Sequence, residues 1–272
     1  MTERLHRDNV AVVIPALNEA LRIRDVVVAA LAECDRVIVV DDGSDDGTAG
    51  LIADLPCTVV RHSRRMGKGA SLRDGFAEAL RHGARAVLTM DGDGQHAAAD
   101  IPRLIASANR HPGAIIIGAR LRKRDCQPWY RRLGNDFGDW GIAWACGYRL
   151  IDSQSGQRLY PAAVCALPDV PGEGFVFEAQ MLISAARELG AHAVSLPVET
   201  RYATADIPLR KSHFRLWRDL YRITSHVVVQ VVTHGRLVER YRARRAHPPL
   251  IDDSDAPLQP ATLQPGHPPG TG

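Results

Sequence analysis

A chain of 272 residues is long enough for one large α/β domain with small appendages and a sizeable buried core. Its net charge of +3 is too small to argue nucleic-acid binding, and no nucleic-acid partner is expected. The five cysteines (Cys34, Cys57, Cys126, Cys146, Cys165) are odd in number and lack CxxC spacing, which speaks against a disulfide framework or a zinc site and for a reducing cytoplasm.

The opening MTERLHRDNV has no apolar signal core. No stretch approaches the roughly 20 apolar residues that span a bilayer. Val227–Val232 is interrupted by Gln230 and followed by His234 and Arg236. The expected location is therefore the cytoplasm, as a soluble protein or one peripheral to the inner face of the membrane.

Strand-like apolar runs occur at Val10–Ile14, Arg36–Val40, Cys57–Val60, Ala86–Met90 and Ala114–Ile117. Helical patterns fall between them at about Ala20–Leu31, Gly69–Arg81 and Ile101–Asn109. Unbroken apolar strands alternating with amphipathic helices predict a mostly parallel sheet covered on both faces, in residues 1 to about 118. From Arg120 to Gly172 the pattern is irregular and rich in tryptophan. A helix at about Gly174–Glu188 and a strand at about Ala193–Val198 return the chain to the sheet. Residues 206–246 read as amphipathic basic helices, and the Pro/Gly-rich residues 247–272 as a disordered tail. The chain divides accordingly into 1–205, with halves of about 1–118 and 119–205, then 206–246 and 247–272.

Ligands of parallel sheets bind beyond the carboxyl ends of the strands, and acidic residues accumulate at three of those ends here. The first strand runs into Pro15-Ala16-Leu17-Asn18-Glu19, the second into Asp41-Asp42-Gly43-Ser44-Asp45-Asp46, and the fourth into Asp91-Gly92-Asp93-Gly94-Gln95-His96. Asp91 and Asp93 can point two carboxylates at one hard cation if Gly92 and Gly94 turn the loop sharply; Gln95 could add a neutral oxygen. Mg²⁺ or Mn²⁺ on a diphosphate suits such a pair, although DxD is short and a solvated Asp-Gly turn reads the same. Two carboxylates directly after a buried strand are costly unless paired, so Asp42 is a candidate to accept from a nucleobase N–H, whereas Asp46 more simply caps the turn at Thr48. In Met66-Gly67-Lys68-Gly69 the glycines let backbone approach a ligand, and Lys68 brings a compact positive charge near phosphate or base. The spacing is not that of a P-loop.

The segments VVIPALNE, VIVVDDGSDDGT, MGKGASLRDGF and LTMDGDGQH resemble, in order and spacing, family-two glycosyltransferases of the GT-A fold, and most of all the dolichol- and polyprenyl-phosphate sugar transferases. The resemblance runs from residue 10 to about 200. It implies a nucleoside pocket lined by Pro15, Leu17, Glu19, Val40 and Asp42, with Lys68, Asp91, Gly92 and Asp93 also meeting the nucleotide sugar. It further implies a metal held by Asp91, Asp93 and Gln95. Ile116-Ile117-Gly118-Ala119-Arg120 resembles the family's strand ending in an arginine that meets phosphate, and Asp152–Tyr160 its acceptor-side segment. The stretch Arg64-Arg65-Met66, where an asparagine is usual before the glycine-lysine pair, and Gln157, where an aromatic is common, depart from the pattern.

The implied reaction is inverting transfer from a GDP- or UDP-sugar to a lipid phosphate or a glycan. A hydroxyl acceptor needs a carboxylate base, whereas a phosphate acceptor, largely dianionic above its second pKa of about 6, needs cations. Arg120, Arg131 and Arg132 are abundant in the right stretch, and no Glu-Asp pair typical of hydroxyl users is evident, so a polyprenyl phosphate is favoured, with Asp93, Arg120 and Arg131 as the catalytic candidates. Asp152, Glu173 and Glu178 remain candidate bases. The segment His213–Ile223, interleaving arginines with Phe214, Leu216 and Trp217, fits an anionic membrane surface and equally a helix packed on the domain. A sugar nucleotidyltransferase would open with a Gly-rich segment after strand one, a phosphoacceptor domain would carry its acidic pair there, and a silent scaffold would not need Asp42, Lys68, Asp91 and Asp93 intact.

Overall fold

The structure, a computed structural model, describes residues 4–120, 129–168, 170–172, 174–198, 237–246 and 248–254. Eight strands form one mixed sheet in the order β3-β2-β1-β4-β6-β5-β7-β8. They are β1 (Val10–Ala16), β2 (Arg36–Asp41), β3 (Thr58–Arg61), β4 (Ala86–Thr89), β5 (Ile115–Ala119), β6 (Arg158–Pro161), β7 (Ala193–Pro197) and β8 (Leu250–Ile251). All pairings are parallel except the two made by β6, which runs antiparallel between β4 and β5.

Helices α1 (Ile23–Glu33) and α3 (Ile101–Arg110) cover one face, and α2 (Lys68–Arg81) and α6 (Phe175–Glu188) the other, with α4 (Trp129–Cys146) and the short α5 (Ala162–Cys165) beside them. Successive strand residues alternate between the two cores. Val10, Val12 and Ile14 pack with Ile23, Val27 and Leu104, whereas Ala11 and Val13 pack with Leu72, Phe76 and Phe177. A strand buried on both faces has no polar side, which is why β1 reads as a continuous apolar run. Gly75 lets α2 lie directly on β1, because a methyl there would overlap Val13.

The stretch 120–172, irregular in sequence, contains α4, β6 and α5. β6 escapes notice because its run starts with a charge, Arg158, and contributes only four residues. The tail read as disordered from 247 carries β8, paired in parallel with β7 at Val194–Leu250 and Ser195–Ile251. It is pinned by Asp252, whose buried carboxylate accepts from the Ser107 hydroxyl at 2.6 Å and from Arg110 Nη2 at 2.8 Å. The final helix, α7 (Leu237–Ala246), lies in the segment read as basic helices; residues 199–236 and 255–272 lie outside the described residues. Among the described residues no helix is long and apolar enough to cross a membrane.

Candidate functional site

The carboxyl ends of β1, β2 and β4 meet on one rim, and their loops are sewn together by side chains. Asn18 holds a left-handed φ of 55°, its N–H donating to Ser44 Oγ and its Oδ1 accepting from Asp45 N. Glu19 N donates to Thr48 Oγ1, and Asp46 accepts from the N–H groups of both Ala20 and Thr48; the N-cap of the turn is Gly47, so Asp46 braces it from one residue further out than the sequence suggests. The β4 loop lies against this pair. Arg22 Nη1 donates to the Asp93 carbonyl at 2.7 Å, and a methyl at Gly92 would rest 3.5 Å from the Pro15 carbonyl oxygen and Glu19 Cγ.

Asp42 is buried and already engaged. Its Oδ1 accepts from Met66 N at 2.7 Å and lies 2.8 Å from His62 Nδ1; its Oδ2 accepts from Gly67 N at 2.8 Å. The carboxylate therefore ties the end of β2 to the loop that presents Lys68. His62 Nε2 in turn sits 2.9 Å from Asp74 Oδ2. Burial disfavours the imidazolium, but hydrogen bonds to Asp42 and Asp74 outweigh it and raise the His62 pKa. Val40 is fully buried in the α2-side core, so only its backbone reaches the rim.

Asp91 and Asp93 follow β4. Lys68 Nζ lies 2.7 Å from Asp91 Oδ1 and 3.2 Å from Glu178 Oε2, and His96 Nε2 lies 3.2 Å from Asp91 Oδ2. Burial works against a charged Asp91, yet Lys68 and His96 prevail and hold its carboxyl well below the usual range. Asp93 takes hydrogen bonds from Gln95 N and Nε2, at 3.0 and 2.8 Å. Its pKa is raised by burial and by the neighbouring Asp91 charge. Among the described residues no three metal-ligating side chains converge. A cation held by the Asp91–Asp93 pair, with Gln95 beside it, would thus take its remaining ligands from diphosphate and water, the usual preference of Mg²⁺. The pair fits that role, since the ammonium of Lys68 already occupies a cation position on Asp91.

The segment 152–160 closes directly on Asp91. Gly156 packs on Asp91 so tightly that a methyl there would overlap the carboxylate, and its carbonyl accepts from Thr89 Oγ1 at 2.8 Å. Arg158, fully buried, fixes the segment: Nε donates to Ser155 O, Nη1 to Glu178 O and the Tyr160 hydroxyl, and Nη2 to Ser153 O. The sequence includes Arg158 in the Asp152–Tyr160 segment but suggests no role of its own for it; an arginine opening an apolar strand is the signal, because burial obliges it to collect acceptors. Arg120 grips Asp152 with Nε and Nη2 at 2.8 and 2.6 Å, and its N–H donates to the same carboxylate. Arg131 falls within α4, its side chain outside the described residues, as is Glu173.

The site thus brings together Pro15, Glu19, Asp42, Lys68, Asp91, Gly92, Asp93 and Gln95 through loop contacts, while Arg120 at the end of β5 pairs with Asp152. The family model described as glycosyl transferase family 2 matches residues 11–165. An uncharacterized protein, MJ1222, of Methanocaldococcus jannaschii is 30% identical over 205 residues, 73% of this chain and 84% of that one. The polyprenol monophosphomannose synthase of Mycolicibacterium smegmatis is 29% identical over 202 residues, 69% and 75% of the two chains. Among solved structures, glucosyl-3-phosphoglycerate synthase from Mycobacterium tuberculosis, in complex with Mn²⁺, UDP and glucosyl-3-phosphoglycerate, aligns with a TM-score of 0.56 at 22% identity, over 83% of this chain and 79% of that one. The fold is GT-A, and the chain belongs to glycosyl transferase family 2: it is a glycosyltransferase.

Proposed function

We propose that the enzyme transfers a sugar, with inversion and with a divalent cation bound by Asp91 and Asp93, from a nucleotide-diphosphate donor to a polyprenyl phosphate. The observation that carries this reading is the state of the carboxylates on the acceptor side. Asp152 is locked in the Arg120 fork and Glu178 is paired with Lys68, so neither stands ready as a base for a hydroxyl. A phosphate acceptor needs none, being largely dianionic above pH of about 6. The named function of the mycobacterial polyprenol relative points the same way.

In this reading Pro15, Leu17, Glu19 and the backbone at Val40 line the nucleoside pocket, with Asp42 shaping it through Met66 and Gly67. Mg²⁺ or Mn²⁺, assisted by Gln95, would supply neutralisation of the departing diphosphate. Lys68 adds positive charge beside it. The bond from the anomeric carbon to the diphosphate oxygen breaks as the acceptor phosphate oxygen bonds to the opposite face; the diphosphate leaves with the electron pair and no proton need be removed. Arg120, oriented by Asp152, and Arg131 receive the acceptor's charge, a task suited to guanidinium groups. Residues 1–205 form the catalytic unit, its donor half ending near 118.

Contact with the inner membrane surface fits the cluster between α4 and α7. Exposed Trp140 meets Trp144 edge-on at 5.1 Å, Trp144 meets Tyr241 at 5.6 Å, and Arg244 lies 5.8 Å from the Trp140 ring. Aromatic rings beside arginines suit a headgroup layer.

The test is transfer from UDP- and GDP-sugars to a polyprenyl phosphate, with product stereochemistry read by NMR. Inverted lipid-linked sugar, lost on chelation and restored by Mg²⁺ or Mn²⁺, is the expected result. Transfer only to a glycan hydroxyl would overturn the acceptor assignment, and full activity in excess chelator would overturn the metal.

A further inference from the structure

Lys68 stands where a divalent cation would bind. Its ammonium is 2.7 Å from Asp91 Oδ1, the first carboxylate of the pair assigned above to the metal, so the two cations compete for one oxygen. The same ammonium is 3.2 Å from Glu178 Oε2, on a different element, α6. We propose that Lys68 is an exchangeable counter-ion: it neutralises Asp91 in the nucleotide-free protein and shifts its contact to Glu178 and the donor diphosphate when a divalent cation takes Asp91.

Three features support the exchange. Glu178 is almost fully buried, and a buried carboxylate needs a lasting partner; Lys68 keeps that partner whichever way it leans. The backbone beneath Lys68 is fixed, because Asp42 holds the Met66 and Gly67 N–H groups, and Gly69 is seated so closely on α6 that a methyl would come within 3.0 Å of Phe177 Cβ. Motion is therefore left to the lysine side chain, a point charge on a flexible four-carbon stem. Finally, the other oxygen of Asp91 is held by His96 Nε2 at 3.2 Å and backed by Gly156, so the carboxylate stays in place while the lysine moves.

The inference rests on the metal reading of the proposed function, and the probe is Mn²⁺ alone, titrated by calorimetry into the nucleotide-free full chain. Lys68→Met should bind Mn²⁺ at least about fivefold more tightly than the parent, the low end of a typical coupling between sites. Mn²⁺ should also raise its melting temperature more than the parent's. With saturating UDP or GDP present the difference should shrink or reverse, since Lys68 has by then left Asp91. Glu178→Gln supplies an independent arm should the first variant not fold: Lys68 then leans wholly on Asp91, and Mn²⁺ affinity should fall. Equal Mn²⁺ affinity in parent and Lys68→Met, or tighter binding in Glu178→Gln, overturns the counter-ion role alone. A parent that binds no Mn²⁺ even with nucleotide overturns both this inference and the metal reading.

Discussion

On the donor side of the rim, Asp42 is held by two backbone N–H groups and an imidazole, and Asp46 by backbone N–H groups and a hydroxyl. On the acceptor side, Asp152 lies in the fork of Arg120, and the guanidinium of Arg158 is buried among carbonyls and a phenol. Backbone dipoles stabilise a carboxylate without cancelling its charge, whereas a guanidinium fork cancels it. In the proposed reading the donor rim keeps the more negative field, in which a cation would be useful, and the acceptor wall is neutral to positive, as a phosphate acceptor would require. Cations also lie against donor-side carboxylates, Lys68 on Asp91 and His62 on Asp42, but neither is a two-pronged guanidinium fork.

The sharpest way to break this contrast is to remove charge from the donor pair. Asp93→Asn is expected to lower transfer by about a thousandfold, roughly 4 kcal/mol at the transition state. The fold should hold, because an amide relieves repulsion with Asp91, whose charge already raises the Asp93 pKa. Sugar transfer and thermal melting, measured together, decide it; near-parent activity would remove Asp93 from the site. The acceptor wall should fail differently. Arg158→Met strands the acceptors at Ser153, Ser155 and Glu178, and should cost about 3 kcal/mol of stability in urea unfolding, the scale of an unmade buried network. Loss of transfer without loss of stability would make Arg158 a chemical group and not a structural one. Arg120→Ala and Asp152→Ala should each cost a similar amount, with a coupling of about 2 kcal/mol in the double-mutant cycle, since the charge-assisted fork is partly buried. The sequence offers Arg120 as a phosphate-binding group and Asp152 only as a candidate base, whereas the fork predicts near-equal effects. A dispensable Asp152 beside an indispensable Arg120 would show that Arg120 acts without the fork.

The same contrast explains what was legible in the sequence. The donor half announces itself because each strand ends within a few residues of the groups it presents, as in Val39-Val40-Asp41-Asp42, and because strands buried on both faces are uninterrupted apolar runs. The acceptor half depends on partners far apart. Arg120 finds Asp152 across 32 positions, and Arg158 reaches Glu178 across 20, separations that no local pattern encodes. β6 was hidden by its leading arginine, and β8 by a tail whose order depends on Asp252 meeting Ser107, 145 residues away. Asp42 shows the limit within the legible half. Its type and place were evident, but not that Met66 and Gly67 would claim its oxygens.

The smallest expected effect belongs to His62, and it asks whether the donor side truly relies on uncancelled carboxylates. Both ring nitrogens face carboxylates, Asp42 at 2.8 Å and Asp74 at 2.9 Å, so folding favours the charged ring despite its burial. A base whose pKa is higher folded than unfolded contributes stability that is complete below the unfolded value and lost as pH rises through the folded one. The parent should therefore lose stability relative to His62→Gln as pH is raised from about 6, near the ordinary imidazole value, to about 9. The amide can still hydrogen-bond but cannot titrate, so the variant's curve should be flatter over that window. Because Asp42 also anchors the Met66–Gly67 backbone, nucleotide affinity should weaken over the same interval in the parent and not in the variant. Parallel curves for the two proteins would mean that His62 is neutral in the fold, donating one N–H and leaving its other ring nitrogen without a proton between itself and a carboxylate. Asp42 would then stand as a full negative charge at the end of β2, and the donor rim would be more acidic than the Asp42–His62–Asp74 chain now implies.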